Sequence, residues 1–192
     1  MGHSALSSQA LSAPPYLFAF FTVLLTAYLS DRYQNRSAFV IFHALLASTG
    51  YATMAVAGSL HASPQWRYIG VYPAAMGFFS VVTIIITWTI NNQDSDSKKG
   101  TGVAMLNYIG QLGPLVGVHL YPDRDQPYYV SGMAICAGFM AAVAVLAFGL
   151  RTILAAKNRK MAAEQPNDDG EDADLVASDR QRREAKRFIF MI

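Results

Sequence analysis

The sequence predicts an all-α membrane protein, a bundle of five transmembrane helices followed by a disordered tail. Hydrophobic residues make up 53% of its 192 positions and charged residues only 15%, which is too apolar for an ordinary soluble domain of this length. A helix needs about 20 apolar residues to cross the hydrocarbon core. Five successive apolar segments without Asp, Glu, Lys or Arg come near or meet that length: 14–30, 38–58, 71–90, 101–120 and 128–150.

The first three segments are joined by the short polar links DRYQNRS and SLHASPQWR, and short links predict an up-and-down bundle. The first segment is near the lower length limit and begins close to Tyr16. Residues 1–13, interpreted as an extracellular segment, lack the basic cluster of a secretory signal peptide, so we expect the first span to be retained. Trp88, near the end of the third segment, is interpreted as an interfacial anchor.

The fourth segment is the richest in polar residues and helix breakers. Asn107 and Gln111 are four residues apart and therefore share one helix face. Pro114 cannot donate a backbone hydrogen bond, which predicts a kink or a local opening of the helix. Small residues permit neighbouring helices to come close. Three glycines therefore predict close helix approach here: Gly110, Gly113 and Gly117.

The fifth segment, 128–150, contains the single cysteine, Cys136, which is interpreted as a packing residue. Residues 151–192 are the predicted charged cytoplasmic tail, in which an acidic block at 168–174 precedes the basic stretch DRQRREAKR. Such a composition buries little apolar area and predicts disorder. The final residues, RFIFMI, favour an alternative in which the end of the tail docks on an anionic membrane surface.

The basic residues near the span ends are unequally distributed. Only Arg67 and Arg124 fall on one side of the predicted membrane. Eight fall on the other: Arg32, Arg36, Lys98, Lys99, Arg151, Lys157, Arg159 and Lys160. Because cytoplasmic loops carry the excess of Lys and Arg, the N-terminus is predicted to be outside and the C-terminus cytoplasmic. The glycosylation sequence at Asn35 then lies on the cytoplasmic side and should stay unmodified.

Polar side chains inside membrane spans are the natural candidates for a substrate path, because they are costly in lipid. The substrate-lining candidates are Tyr16, Tyr72, Asn107, Tyr108 and Gln111. For the two amides, ordinary packing against neighbouring helices is an equally open alternative. His43 and His119 are interpreted as packed or interfacial residues. Paired acids, nucleophile triads, phosphate loops and Cys/His clusters are missing from the sequence, so we expect no enzyme, metal, cofactor or nucleic-acid partner.

Three stretches occur in order: LSAPPYLFAFFTVLLTAYLSDRYQNR, then QWRYIGVYPAAMGFF followed by WTINN, then AMLNYIGQLGPLVGVHLY followed by DQPYY. Together they resemble spans eight, ten and eleven, with the adjoining loops, of fungal major facilitator superfamily permeases. The resemblance is closest to the anion:cation symporter branch, which includes allantoate and nicotinate permeases, and covers roughly residues 10 to 160. It implies that the five-span domain, residues 14–150, corresponds to spans 8 to 12 of that fold. Gln111 and Pro114 depart from the family pattern, which has Asn and Gly there.

The resemblance implies part of a secondary active transporter for a small organic anion or vitamin-like solute, proton-coupled and located in the plasma membrane. In this superfamily the substrate lies between two halves that rock against each other. A five-span chain in the bilayer is therefore expected to be a truncated, inactive piece that binds substrate only when an N-terminal half completes it. The alternative is a membrane-embedded protein that associates with a full-length carrier through its Gly-rich helix faces.

Asp31, Arg32 and Arg36 form a cytoplasmic loop motif. The residues alone predict a topology signal, in which Asp31 and Arg32 end the first span in water and Arg36 adds positive charge. The resemblance implies more, because the superfamily carries an Asp-Arg loop motif whose charges latch against neighbouring helix ends. The partner of Asp31 is then expected in the opposite half, outside this chain.

Overall fold

The computed structural model describes residues 5–93 and 95–163. Its elements are α1 (Ala5–Tyr33), α2 (Arg36–Ser59), α3 (Pro64–Asn91), α4 (Asp96–Gly110), α5 (Leu112–Leu120), a 3-10 turn (Asp123–Asp125) and α6 (Val130–Ala163). Five stretches are long and apolar enough to cross a membrane: Gln9–Tyr33, Arg36–Ser59, Pro64–Asn91, Asp96–Leu120 and Val130–Met161. The predicted all-α architecture with five membrane-length helices is confirmed. The acidic block, the basic stretch and RFIFMI lie outside the described residues.

Residues at the helix ends explain where the chain turns. Between α1 and α2, Gln34 takes a left-handed backbone conformation (φ 52°), and Asn35 caps α2 by accepting a hydrogen bond from the Ala38 amide at 3.4 Å. Pro64 opens α3, where the missing N–H costs no helical hydrogen bond. The first and last helices extend beyond the predicted apolar segments. Helix α1 already begins at Ala5, and α6 continues through residues 151–163, which were assigned to the tail.

Helix α2 is the centre of the bundle. It packs against α3 and α6, while α1 packs chiefly on α3. Apolar side chains of α2, α3 and α6 form the core: Val40, Ala44, Ala47, Val81, Ile84, Trp88, Met140, Ala144, Ala147 and Leu154. Most large apolar side chains elsewhere are exposed, as expected of helices that face lipid. Within the bilayer, close van der Waals packing of small residues holds helices together, and the alanines of the core supply it.

Helices α2 and α3 approach each other closely, and this approach depends on glycines. A Cβ atom added to Gly77 would come closer than 3.0 Å to the carbonyl oxygen of His43 and the amide nitrogen of Ala47. Gly50 and Gly70 meet in the same way further along the crossing. The fourth span was predicted to provide this close approach. Its glycines at 110, 113 and 117 instead have no atom of another helix within 4 Å of an added Cβ.

The fourth span is broken into α4 and α5 at Gln111. Pro114 has no N–H to donate to the carbonyl of Gly110, and its ring crowds that carbonyl, so the helix opens one turn before the proline. The predicted interruption is thus confirmed. Neither α4 nor α5 has a buried residue. The span touches the bundle mainly where α4 meets the end of α3, so most of its surface is open.

Trp88 is a core residue and not the interfacial anchor that the sequence predicted. Its side chain is only 4% exposed and belongs to the cluster formed by α2, α3 and α6. The reason lies in the neighbouring side chains, because Val40 on α2 and Ala147 on α6 are small enough to leave room for an indole ring. Trp88 therefore stabilises the junction of three helices at the end of the bundle near Asp31.

The opposite end of the bundle is fastened by Arg67. Its guanidinium donates to the carbonyl oxygens of Pro127 and Tyr128, each at 3.4 Å, and its Cζ lies 5.2 Å from the centre of the Tyr128 ring. The same ring meets His61 edge-on at 5.0 Å. The link between α2 and α3 is thereby joined to the connection that precedes α6.

Candidate functional site

Two of the predicted lining residues, Tyr16 and Tyr72, lie where α1 meets α3. The Tyr72 hydroxyl donates to the Tyr68 hydroxyl at 3.1 Å, and the latter donates to the carbonyl oxygen of Leu11 at 2.9 Å. The Tyr16 ring lies 5.8 Å from that of Phe79 and is 58% exposed. Tyr72 is therefore fixed in a chain of hydrogen bonds between the two helices, whereas Tyr16 makes a ring contact with Phe79.

A cavity of about 270 Å³ opens beside Tyr16, lined also by Ala19 and Phe20 of α1 and by Phe79 and Thr83 of α3. Its walls are almost entirely apolar, and the Thr83 hydroxyl is engaged with its own helix, donating to the Phe79 carbonyl at 2.9 Å. An organic anion needs several converging donors, and this cavity provides few. Tyr16 and its neighbours therefore form one wall of a site at most.

The other three candidates are on the isolated fourth span. Tyr108 is 78% exposed, and Asn107 and Gln111 are exposed as well. Gln111 occupies the break itself, where its backbone amide still bonds to the Asn107 carbonyl at 3.0 Å. The structure thus presents Asn107, Tyr108 and Gln111 on a helix apart from the α1–α3 interface that holds Tyr16 and Tyr72. The five predicted residues are not assembled into one enclosed pocket within the described chain.

The loop motif, formed by Asp31, Arg32 and Arg36, is the second candidate site and contains a buried polar network. Arg36 is the first residue of α2 and is only 6% exposed. Its Nη2 donates to Oδ1 of Asp31 at 2.5 Å. With the Asn91 amide oriented so that its oxygen faces Arg36, that oxygen accepts from Nη2 at 2.8 Å and from Nε at 2.9 Å. One buried guanidinium thereby joins the ends of α1, α2 and α3.

The three charges of the motif have different surroundings. The Asp31 side chain is 62% exposed although it is paired, and Arg32 is exposed, with Nη1 donating to the Tyr28 hydroxyl at 3.3 Å. Only Arg36 is buried. The expectation that the partner of Asp31 lies outside the chain is corrected, because Arg36 provides a partner five residues away. Charge-assisted bonds of this kind are the strong ones, so Arg36 fixes the geometry of this end.

Sequence reasoning missed Asn91 as the second partner of Arg36. Asn91 belongs to the stretch WTINN, which carried the resemblance at the end of the third span. A signal was present, because an amide just after an apolar run must bond to another polar group or to water. The sequence does not say which loop lies opposite. Only the packing of α3 against α2 brings residues 36 and 91 together.

Buried polar residues concentrate in α1, α2 and α3: Thr26, Ser30, Arg36, Ser37, His43 and Ser80. His43 Nε2 lies 3.0 Å from the Thr26 hydroxyl, and Nδ1 lies 2.9 Å from the Phe39 carbonyl oxygen. The second contact requires a proton on Nδ1, so Nε2 of the neutral ring accepts from Thr26. The interpretation of His43 as a packed histidine is confirmed.

Cys136 lies beside the connection between α5 and α6, where its Sγ is 3.2 Å from the Tyr121 hydroxyl. Partial burial, and then the contact with Cys136, raise the pKa of the Tyr121 phenol well above its usual range. The phenol therefore stays protonated at neutral pH. Within residues 5–93 and 95–163, no three side chains among His, Cys, Asp and Glu are grouped to hold a metal ion.

Curated proteins similar to this chain are fungal transporters of the major facilitator superfamily (MFS). The MFS-type transporter cnsO of Penicillium expansum is 24% identical over 161 residues, covering 83% of this chain and 31% of the relative. The MFS transporter prlL of a fungal species (strain NRRL 50135) is 28% identical over 169 residues, covering 85% and 33%. The high-affinity nicotinic acid transporter of Saccharomyces cerevisiae is 27% identical over 139 residues, covering 72% and 25%.

No protein-family model matches the chain. No solved structure matches it either. The chain spans about a third or less of the length of these curated relatives. The relatives are transporters rather than enzymes. The chain is thus a multi-pass, all-helical membrane protein, similar over most of its length to part of a fungal MFS transporter.

Proposed function

We propose that the chain is part of a secondary active transporter for a small organic anion or vitamin-like solute, coupled to protons and inactive alone. The observation that carries this proposal is the similarity of more than four-fifths of the chain to one third of fungal MFS transporters. The nicotinic acid transporter among the relatives supports the substrate class. Within the described part of the apolar segments, the side chains that a proton would charge near neutral pH are His43, which is buried, and His119, which is exposed.

The open surface of the fourth span supports the proposal that a second half of the transporter packs against it. Asn107 and Gln111 lie on a membrane-length stretch without a buried residue. Polar amides facing hydrocarbon are costly, whereas amides facing a water-filled path or another helix are not. A second half placed against α4 and α5 covers these groups and closes a path between them and the α1–α3 face. The proposed site thus consists of Tyr16, Tyr72, Asn107, Tyr108 and Gln111 with residues of that second half.

Uptake measurements test the proposal. The chain is expressed in fungal cells alone, and then joined behind the N-terminal portion of the yeast nicotinic acid transporter that it does not match. We expect no uptake of labelled nicotinate or allantoate by the chain alone, and saturable uptake that rises at acidic external pH in the completed protein. Saturable uptake by the chain alone would contradict the claim that it is inactive by itself. A completed protein that inserts but transports neither anion would contradict the substrate class.

Replacement of Asn107 or Gln111 by leucine is expected to lower uptake by the completed carrier about two- to tenfold. Loss of one substrate hydrogen bond corresponds to about 0.5–1.5 kcal/mol, and 1.4 kcal/mol is a factor of ten. The measurement is the ratio of maximal rate to half-saturating concentration for labelled substrate, normalised to protein in the membrane. Val118→Leu is the matched control, because Val118 lies on the same span and is 76% exposed. Equal uptake in all three variants would assign the amides to helix packing.

We also propose plasma-membrane insertion with the N-terminus outside. In a Cys136→Ser background, a membrane-impermeant maleimide should label Arg124→Cys in intact cells, but Ser95→Cys only after permeabilisation. Both positions are exposed and lie in connections at opposite ends of the spans. Asn35, at the same end as Ser95, should carry no glycan. Labelling of Ser95→Cys in intact cells would reverse the orientation.

The alternative function, a membrane-embedded partner of a full-length carrier, has the same observation in its favour, namely the open fourth span. The alternative function and the transporter proposal predict different experimental results. Under that alternative, a full-length carrier co-purifies with the tagged chain and changes its transport rate, while joining the chain to an N-terminal portion yields no uptake. Restored uptake in the joined protein, without co-purification of an intact carrier, favours the transporter proposal.

A further inference from the structure

A groove separate from the candidate transport site opens between α3 and α6. The two helices both pack on α2 and diverge, leaving a volume of about 460 Å³. Val40 of α2 and Trp88 of α3 line it together with Ala147 of α6. All three are buried core residues, so the groove has a fixed floor.

The groove is polar at one end only. Its polar residues, Thr89, Asn92 and Gln93, all come from the end of α3 and the link that follows it. The α6 side is apolar from Val143 to Leu154. At 1.5 Å per residue this stretch is about 16 Å long, close to the roughly 15 Å of hydrocarbon in one leaflet. The dimensions and polarity therefore match one acyl chain with its glycerol and headgroup region.

Helical register places two basic residues, Lys98 and Lys157, near the polar end of the groove. Asp96 also lies at the start of α4 and is paired with Lys99 at 3.0 Å. Along α6, the groove-lining positions recur at helical spacing, and Lys157 follows Leu154 by three residues on that same face. On α4, an added Cβ at Gly102 would lie 3.4 Å from Thr89 and 3.8 Å from Gln93, so the start of α4 borders the groove. Lys98 precedes Gly102 by one turn. The charges at the polar end thus favour an anionic ligand.

We propose that this groove binds an anionic phospholipid of the leaflet at the basic end of the bundle. The acyl chain lies along α6 beside Leu150, the glycerol esters meet Asn92 and Gln93, and the phosphate is attracted by Lys98 and Lys157. The inference does not depend on transport. It requires only that the chain is inserted in a bilayer. The apolar part of the groove is one leaflet long and favours a phospholipid over a free anion, because only the phospholipid has an acyl chain to occupy it.

The test uses the full chain purified in detergent. We expect mass spectrometry to find phosphatidylinositol or phosphatidylserine retained after washing, and either lipid to raise the melting temperature by about 2–4 °C where phosphatidylcholine does not. Lys157→Gln should weaken that effect about fivefold in lipid concentration, whereas Arg159→Gln should not. Arg159 is the charge control, because helical register places it on the opposite face of α6.

A second pair of variants tests the apolar part of the groove. Leu150→Trp should fill it and abolish lipid stabilisation, while Val145→Trp, on the opposite and 70% exposed face, should leave it intact. Equal stabilisation by phosphatidylcholine would overturn the proposal. Stabilisation by inorganic phosphate alone would also overturn it. A change in oligomeric state caused by Leu150→Trp would overturn it as well, because it would assign the groove to a second copy of the chain.

Discussion

Arg36→Met is expected to lower the free energy of unfolding by about 2 kcal/mol, the amount associated with hydrogen bonds to a charged group. Arg36 is nearly fully buried and bonds at once to Asp31 and Asn91, so its removal separates three helix ends in one step. The Asn91 amide is then left without its charged donor. The measurement is unfolding of the purified chain in mixed micelles, followed by the fluorescence of Trp88 in the adjacent core in a Trp66→Phe background, which removes the second tryptophan.

Two control variants separate the effect of Arg36 from a general loss of charge. Arg32→Gln removes an exposed guanidinium that donates to the Tyr28 hydroxyl at 3.3 Å, so a change below about 0.5 kcal/mol is expected. Asp31→Asn removes the other member of the ion pair, but that carboxylate is 62% exposed, so its loss should cost less than the loss of Arg36. If Arg36→Met and Arg32→Gln have the same free energy of unfolding, the motif is a topology signal only.

The helices were predictable because membrane insertion imposes a simple pattern on the sequence. Uninterrupted apolar length identifies a span before any tertiary contact is known, so all five spans were found. The opening in the fourth span was predictable for a similarly local reason, since Pro114 lacks an N–H wherever it is placed. Helix ends were less accurate, because the charged residues at 151–163 end an apolar pattern but do not end a helix.

The neighbours of each side chain were not predictable from the same pattern. Trp88 has the position of an interfacial anchor in the sequence, but the small residues on α2 and α6 leave a buried space for it. Arg36 has the position of a topology charge, but α3 brings Asn91 to it. In both cases the deciding information is a contact between helices distant in sequence, and single-sequence periodicity carries none of that information.

The candidate site follows the same division. The candidate residues were chosen from the cost of polar groups in lipid, and they are distributed over α1, α3 and the open fourth span. Under the proposed function, a path between two halves is formed by both of them, and this chain spans about a third of its relatives. The open face of α4 and α5 is therefore consistent with a site that residues of another half complete.

Gly77→Ala is expected to destabilise the chain by about 3 kcal/mol, the upper part of the range for overpacking a tight core. The added methyl group would come closer than 3.0 Å to backbone atoms of His43 and to Ala47. Backbone atoms in a packed helix cannot turn aside as a long side chain can, so α2 and α3 must separate. Because lost van der Waals contact is not replaced by a hydrophobic gain in the bilayer, the separation should lower the unfolding midpoint directly.

Gly117→Ala is the matched control, since an alanine there meets open space and favours the helix by about 0.5–1 kcal/mol. The same glycine-to-alanine substitution is therefore expected to lower the free energy of unfolding at position 77 and to raise it at position 117. In the completed carrier, Gly117→Ala also tests whether a helix of the other half packs against α5. If Gly117→Ala stabilises the chain alone but destabilises or inactivates the joined protein, a helix of the other half packs against α5. If it stabilises both, the fourth span faces lipid or water at that position.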